Sequence, residues 1–273
     1  MQIENTILAL LAEQNTCGLW SQRANHAAMS ALIIIPARMA STRLPGKPLA
    51  DIAGQPMIVH VWKAAEAAKM GPVLVACAEE EIKDAVERAG GTAELTDPEL
   101  PSGSDRVRQA ANRFDPYQSY DIVVNVQGDM PTVDPALIKT IVKPLLENSA
   151  IDIVTAAVET DDPREIGNPN VVKAIVAENG RALYFTRAAA PSGKGPVLHH
   201  LGVYAYRRAA LNQFCDLPPS PLEKRERLEQ LRALEVGMSI HVCQVDAAPH
   251  GVDTEDDLVR ARQILAIKSK VKT

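Results

Sequence analysis

The run Leu32-Ile33-Ile34-Ile35-Pro36 leaves the chain around it little freedom. Four aliphatic residues closed by a proline show no polar alternation, and so read as a strand buried on both faces. The next segment, Ala37-Arg38-Met39-Ala40-Ser41-Thr42-Arg43-Leu44-Pro45-Gly46-Lys47-Pro48-Leu49, sets three cations in a loop of Pro, Ser, Thr and Gly. From Pro56 through Met57, Val59, His60, Trp62 and Lys63 to Met70 the pattern turns helical. A strand, a cationic glycine-containing loop and a helix in that order make a phosphate-binding device in an α/β sheet. The competing account is a basic loop that is merely solvated, as most charged side chains are. It is not a P-loop, because Pro48 follows Gly46-Lys47 where Ser or Thr would be needed, and no Gly-x-Gly-x-x-Gly run follows the strand.

Strands and helices then alternate. Val73–Cys77, Thr92–Thr96 and Asp121–Val126 read as strands, with helices expected over Glu79–Ala89 and from Ser104 to about Phe114. Such βαβα alternation argues for an α/β fold with a largely parallel sheet flanked by helices. The second half is more mixed: strands are expected at Ile151–Val158, Val171–Val176, Leu183–Thr186, Leu201–Tyr206 and Ser239–Val245. Pro191–Pro196 reads as a loop, Leu222–Val236 as one helix and Thr254–Ile267 as the last helix. No repeat or linker divides the chain after its start, so 29–273 is treated as one domain. Residues 1–28 are read as an appendage: Ile3 to Leu11 is apolar, Glu4 and Glu13 interrupt it, and the cationic start of a secretion signal is missing.

Charge and cysteine usage narrow the function. A net charge of −5 over 273 residues gives no reason to expect nucleic-acid binding, so a basic loop in this chain would be a local anion site. The four cysteines, Cys17, Cys77, Cys215 and Cys243, lack the spacing of a zinc site or disulfide framework, and a reduced, cytoplasmic protein is the expectation. No apolar run approaches the roughly 18 residues of a membrane span.

Several residues could carry chemistry. Asn125-Val126-Gln127-Gly128-Asp129 ends an apolar strand, and functional crevices lie beyond the carboxyl ends of such strands, so Asp129 is placed to hold a metal or is a turn aspartate. Gly251-Val252-Asp253-Thr254-Glu255-Asp256-Asp257 has capping-box spacing between Thr254 and Asp257, which accounts for every acid there except Asp253. Ser102-Gly103-Ser104-Asp105-Arg106 reads as a helix cap with an acid in its first turn.

The opening string closely resembles the signature of the 3-deoxy-manno-octulosonate (Kdo) cytidylyltransferases, or CMP-Kdo synthetases, and the resemblance extends over nearly all of residues 32–265. It implies the nucleotide-diphospho-sugar transferase fold, a homodimer, and transfer of CMP from CTP to Kdo as a supply step for lipopolysaccharide. The implied CTP site comprises Ala37, Arg38, Arg43, Lys47, Ser102, Arg106 and Gln127, with Arg38, Lys47, Asp129 and Asp253 catalytic. Val-Gln-Gly-Asp and Gly-Val-Asp-Thr are the family's metal motifs, which makes Asp129 and Asp253 joint ligands of Mg2+. Phe185-Thr186-Arg187-Ala188, His200-Leu201-Gly202-Val203-Tyr204-Ala205-Tyr206-Arg207 and Leu228-Glu229-Gln230-Leu231-Arg232 resemble sugar-side motifs. They imply that Gln127, Arg187, His200, Tyr204 and Glu229 orient the sugar acid. Two departures stand out: Met130 replaces a frequent Glu after the metal aspartate, and the 191–198 segment is short. Open alternatives are a related acceptor, 8-amino-Kdo or a sialic acid, or a nucleotide-binding regulator without turnover.

Overall fold

A computed structural model describes residues 31–41 and 43–271, with side chains as far as 267. The expected appendage at 1–28, with Met29, lies outside the described residues. Strand β1 (Ala31–Ala37) is central, and Leu32, Ile33, Ile34 and Ile35 are all at 0% exposure, as the unbroken aliphatic run requires. It pairs in parallel with β4 (Val73–Cys77) on one side and β6 (Ile122–Asn125) on the other. Beyond β4 lies β5 (Thr92–Leu95), also parallel. On the other flank β10 (Val197–Arg207) runs antiparallel to β6 and to β7 (Ile153–Thr160), and β11 (Ile240–Val245) runs parallel to β7. The order is therefore β11-β7-β10-β6-β1-β4-β5, a mixed and largely parallel sheet. A hairpin of β8 (Lys173–Val176) and β9 (Ala182–Thr186) attaches to β10, and a two-residue pair, β2 (Asp51–Ile52) and β3 (Gln55–Pro56), stands apart.

The two-residue period of β1 sorts its side chains onto opposite faces. Ile33 and Ile35 join one core with α1 (Met57–Ala67), α2 (Glu80–Arg88) and α4 (Pro135–Glu147). Leu32 and Ile34 join the other with α3 (Gly103–Phe114) and α6 (Arg208–Asp216), through Val107, Leu211 and Phe214. Each such aliphatic side chain stabilises the fold by about 1.5–3 kcal/mol. Shorter helices are α5 (Pro163–Ile166), α7 (Pro221–Glu226) and α8 (Leu231–Glu235), and α9 (Glu255–Val271) comes last.

The single helix expected over Leu222–Val236 is wrong. It is two helices, α7 and α8, parted where Arg227 turns left-handed at φ 56°. Tertiary bonds hold the break: the Glu226 carboxylate accepts from the Thr186 hydroxyl (3.0 Å) and the Arg187 amide (3.0 Å), and the guanidinium of Arg187 reaches the carbonyls of Glu226 and Arg227. Three helices went unanticipated, α4, α5 and α6, although α4 has an Asp134 cap that accepts from the Ala136 amide and Pro135 in its first turn. Its interior Pro144 weakens the helical pattern.

Candidate nucleotide-binding site

At the carboxyl ends of β1 and β6 a cavity of about 400 Å³ opens, where parallel sheets place ligands. Strand β1 delivers Ala37 and Arg38 to its rim. The loop then bends at Gly46, whose φ of 69° a side chain would strain, into a 3-10 turn at Lys47–Leu49 that directs Lys47 inward. From the other side, β6 runs into Gln127, Gly128 and Asp129. A Cβ on Gly128 would lie 2.7 Å from the Pro36 carbonyl oxygen, so only glycine lets the two loops approach this closely.

The site's central observation is at Lys47. Its Nζ stands 2.8 Å from Asp129 Oδ2 and 3.2 Å from Asp253 Oδ1, and Arg43 Nη2 stands 3.1 Å from Asp253 Oδ2. Two carboxylates from distant parts of the chain thus meet around one cation. Desolvation alone would lower the Lys47 pKa, but Asp129 and then Asp253 outweigh it and hold the ammonium above its usual range. Asp253 is set by its neighbours. Val252 is fully buried against Ile52, Met57 and Leu258, and the Asp257 carboxylate accepts from the amides of Asp253 and Thr254 and from the Thr254 hydroxyl. With the Asp257 amide donating to Thr254 Oγ1, the capping arrangement expected for this helix start is in place. Burial opposes ionisation of Asp257, yet these hydrogen bonds keep its carboxyl below the usual range.

The remaining wall is cationic and dipolar. Arg38 is exposed, while Arg106 is buried with Nη1 on Thr96 Oγ1; burial, aided by Arg38, lowers its pKa. Ser102 caps α3, accepting from the Asp105 amide at 3.1 Å and donating to Asp105 Oδ2 at 2.8 Å, and the helix start it caps lines the cavity. That end carries the positive pole of α3, which favours an anion. All of Ala37, Arg38, Arg43, Lys47, Ser102, Arg106, Gln127, Asp129 and Asp253 line this one cavity. Sequence reasoning passed over Glu79, whose carboxylate accepts from the Met39 amide at 3.0 Å and so shapes the cationic loop. No motif flags it.

The four other expected sugar residues do not line that cavity. Glu229 lines a neighbouring one of about 500 Å³, which shares Ser102 with the first. Its carboxylate accepts from Ser104 at 3.0 Å, and burial raises its pKa against the pull of the Ser102 and Ser104 hydroxyls. Arg187 directs Nε, Nη1 and Nη2 to the carbonyls of Glu226, Pro169 and Arg227. His200 is buried, edge-on to Phe185 with ring centroids 4.9 Å apart, and its Nε2 lies 2.9 Å from Thr155 Oγ1. That hydroxyl also lies 2.7 Å from the Val203 carbonyl and 3.0 Å from that of Leu201, where β10 bulges. Its one proton goes to a carbonyl, so His200 Nε2 is the donor to it. Tyr204 follows the bulge, 5.5 Å from the His200 ring, and burial with the Glu229 charge pushes its phenol far up.

The sequence profile of the cytidylyltransferase family matches residues 32–240. A 3-deoxy-manno-octulosonate cytidylyltransferase from Parvibaculum lavamentivorans is 60% identical, covering 87% of this chain and 93% of its own. The chain belongs to the 3-deoxy-manno-octulosonate cytidylyltransferase family. A second relative of that name, from Rhodospirillum rubrum, is 57% identical over 90% of this chain and 99% of its own. A solved structure, CMP:2-keto-3-deoxy-manno-octonic acid synthetase complexed with CTP, superposes with a TM-score of 0.83 at 36% identity, covering 88% of this chain and 99% of that one. The nucleotidyltransferase fold expected from the sequence is therefore the fold observed. Among the described residues no helix is long and apolar enough to cross a membrane.

Proposed function

We propose that this chain transfers CMP from CTP to the anomeric hydroxyl of Kdo, giving CMP-Kdo and pyrophosphate for lipopolysaccharide synthesis. The observation that carries the reading is the single cavity lined by Arg38, Arg43, Lys47 and Arg106 beside two convergent carboxylates, a lining suited to a polyanion. The anomeric oxygen attacks the α-phosphorus, the bond to the β-phosphate oxygen breaks in line with it, and the hydroxyl proton leaves to solvent. No covalent enzyme intermediate is needed, so the protein acts by positioning and by stabilising charge.

In this reading Arg38, Arg43 and Lys47 hold the triphosphate, and Ser102, Arg106 and Ala37 seat the nucleoside end. Asp129 and Asp253 would hold Mg2+. The donor set suits it, since magnesium favours one or two carboxylates completed by substrate phosphates, and a cationic ammonium already sits between the two. Bound there, the metal would supply Lewis-acid polarisation of the phosphate. Because Lys47 bridges both carboxylates, its ammonium would exchange them for phosphate oxygens when substrate arrives. Gln127, Arg187, His200, Tyr204 and Glu229 are assigned to the sugar acid, the forked guanidinium of Arg187 suiting its carboxylate. That assignment requires Arg187 to release carbonyls it now engages. The working protein is taken as a cytoplasmic homodimer.

Incubation with CTP, Mg2+ and Kdo tests this. Pyrophosphate release with CMP-Kdo as product is the expected result. Faster turnover with 8-amino-Kdo or a sialic acid would transfer the assignment to that acceptor, and CTP binding without turnover would reduce the chain to a regulator.

A further inference from the structure

The two carboxylates that meet at Lys47 sit on separate loops, one following β6 and the other following β11, and something must keep those loops in register. The backbone provides one tie: the Val252 amide donates to the Asp129 carbonyl at 2.9 Å. The second tie is a side chain. The His250 amide donates to Thr132 Oγ1 at 2.8 Å, and the Thr132 hydroxyl reaches back to the His250 carbonyl at 3.4 Å. Thr132 is 6% exposed. The two ties run in opposite senses along the loops, as in an antiparallel ladder, with a threonine hydroxyl standing in for one backbone pair. His250 is also joined to the far side of Asp253: its Nε2 lies 3.0 Å from the Asp257 carbonyl oxygen, and the Asp257 carboxylate accepts from the Asp253 amide at 3.2 Å.

We propose that Thr132 is a positioning residue for the paired carboxylates, its hydroxyl holding the His250–Asp253 loop at the spacing from Asp129 that a divalent cation needs. The proposal rests on the reading of Asp129 and Asp253 as cation ligands. These bonds of Thr132 go to the His250 main chain rather than to either carboxylate. Thr132 acts through the main chain of His250, so its own hydroxyl matters while the imidazole of His250 is not required for the tie. Groups that orient metal ligands from outside typically change metal affinity by 10–100-fold when lost. One step removed, loss of the Thr132 hydroxyl is expected to weaken the site about tenfold.

The probe is Mn2+, titrated into the full chain with CTP present and followed by calorimetry or by the electron paramagnetic resonance of free Mn2+. Thr132→Val keeps the branched shape and removes both bonds. It should raise the Mn2+ dissociation constant about tenfold, leave CTP affinity in metal-free buffer unchanged, and be rescued by Thr132→Ser. Asp129→Asn separates the possible failures. Wild-type Mn2+ affinity in Thr132→Val beside weakened affinity in Asp129→Asn overturns the role of Thr132 alone. Unchanged affinity in both overturns the ligand reading and this inference with it. Should Thr132→Val not fold, Thr132→Ala against Thr132→Ser asks the same question, and equal Mn2+ affinities in that pair overturn the proposal.

Discussion

The regions assigned to the nucleotide and to the sugar acid are built in opposite ways. On the nucleotide side the expected residues line one open cavity: Arg38 and Arg43 are exposed, and Lys47 pairs with two carboxylates it can exchange, while Arg106 is bonded to Thr96. On the sugar side the expected residues are engaged with the protein itself. Arg187 is bonded to three carbonyls, His200 is buried against Thr155, and Glu229 is held by Ser104. On that assignment the first half presents its groups in one cavity before ligand arrives, with Lys47 exchanging partners there, while the second must exchange internal bonds for ligand bonds. Substitutions in the two halves should accordingly fail differently.

The largest expected effect is at the carboxylate pair. Asp129→Asn or Asp253→Asn keeps shape but removes a negative charge that a hard cation requires. Each should slow turnover by on the order of a hundredfold or more, if the metal supplies several kcal/mol at the transition state. The double variant should be little worse than either single, because groups acting as a unit are not additive. Strictly multiplicative losses, with Mg2+ midpoints unchanged in both singles, would return Asp253 to a helix-start residue and break the picture of a preorganised nucleotide half.

The same contrast governs what was legible in the sequence. Strand β1 could be read because four aliphatic residues in a row have few other uses, and the capping of α9 because Thr254 and Asp257 signal it locally. The resemblance placed Asp129 and Asp253 together; spacing could not, since their meeting depends on β6 and the β11–α9 connection ending at the same edge of the cavity. The break between α7 and α8 was invisible because neither Gly nor Pro marks it: Arg227 is held left-handed by bonds from the end of β9, a tertiary effect overriding a sound helical pattern. Likewise the crowding at Gly128 comes from a strand about ninety residues earlier, which no local pattern encodes.

Arg187→Leu comes next in size and sharpens the comparison directly. If its guanidinium turns to the sugar carboxylate, removing one charge-assisted hydrogen bond costs roughly 1.5–3 kcal/mol, or about 10–100-fold in KM for the sugar acid. CTP binding should barely change. A melting curve taken alongside matters here, because the variant also strips donors from the carbonyls of Pro169, Glu226 and Arg227. Equal losses for CTP and sugar, or a lowered melting temperature with unchanged sugar KM, would make Arg187 a tie between loops.

The smallest effect is on stability and separates the halves by pH. His200 has its pKa lowered to about 3 by burial, with the neighbouring His199 adding to it. In the unfolded chain a histidine titrates near its ordinary value of about 6.5. Between those two values the unfolded state binds a proton that the native state does not. Stability attributable to His200 is therefore complete above pH ~6.5 and is lost as pH falls, by up to about 1.4 kcal/mol per unit. Lys47, held above its usual range by two carboxylates, stays protonated over the same window and contributes no slope. Urea unfolding of wild type and His200→Gln at pH 7, 6 and 5 is the measurement. Glutamine can still bond Thr155 but does not titrate, so the gap between the two proteins should shift in favour of the variant by about 2 kcal/mol from pH 7 to pH 5. Parallel pH curves would mean that His200 takes up its proton while the chain is folded. The sugar half would then admit water and charge as readily as the nucleotide half, and the contrast between them would fail.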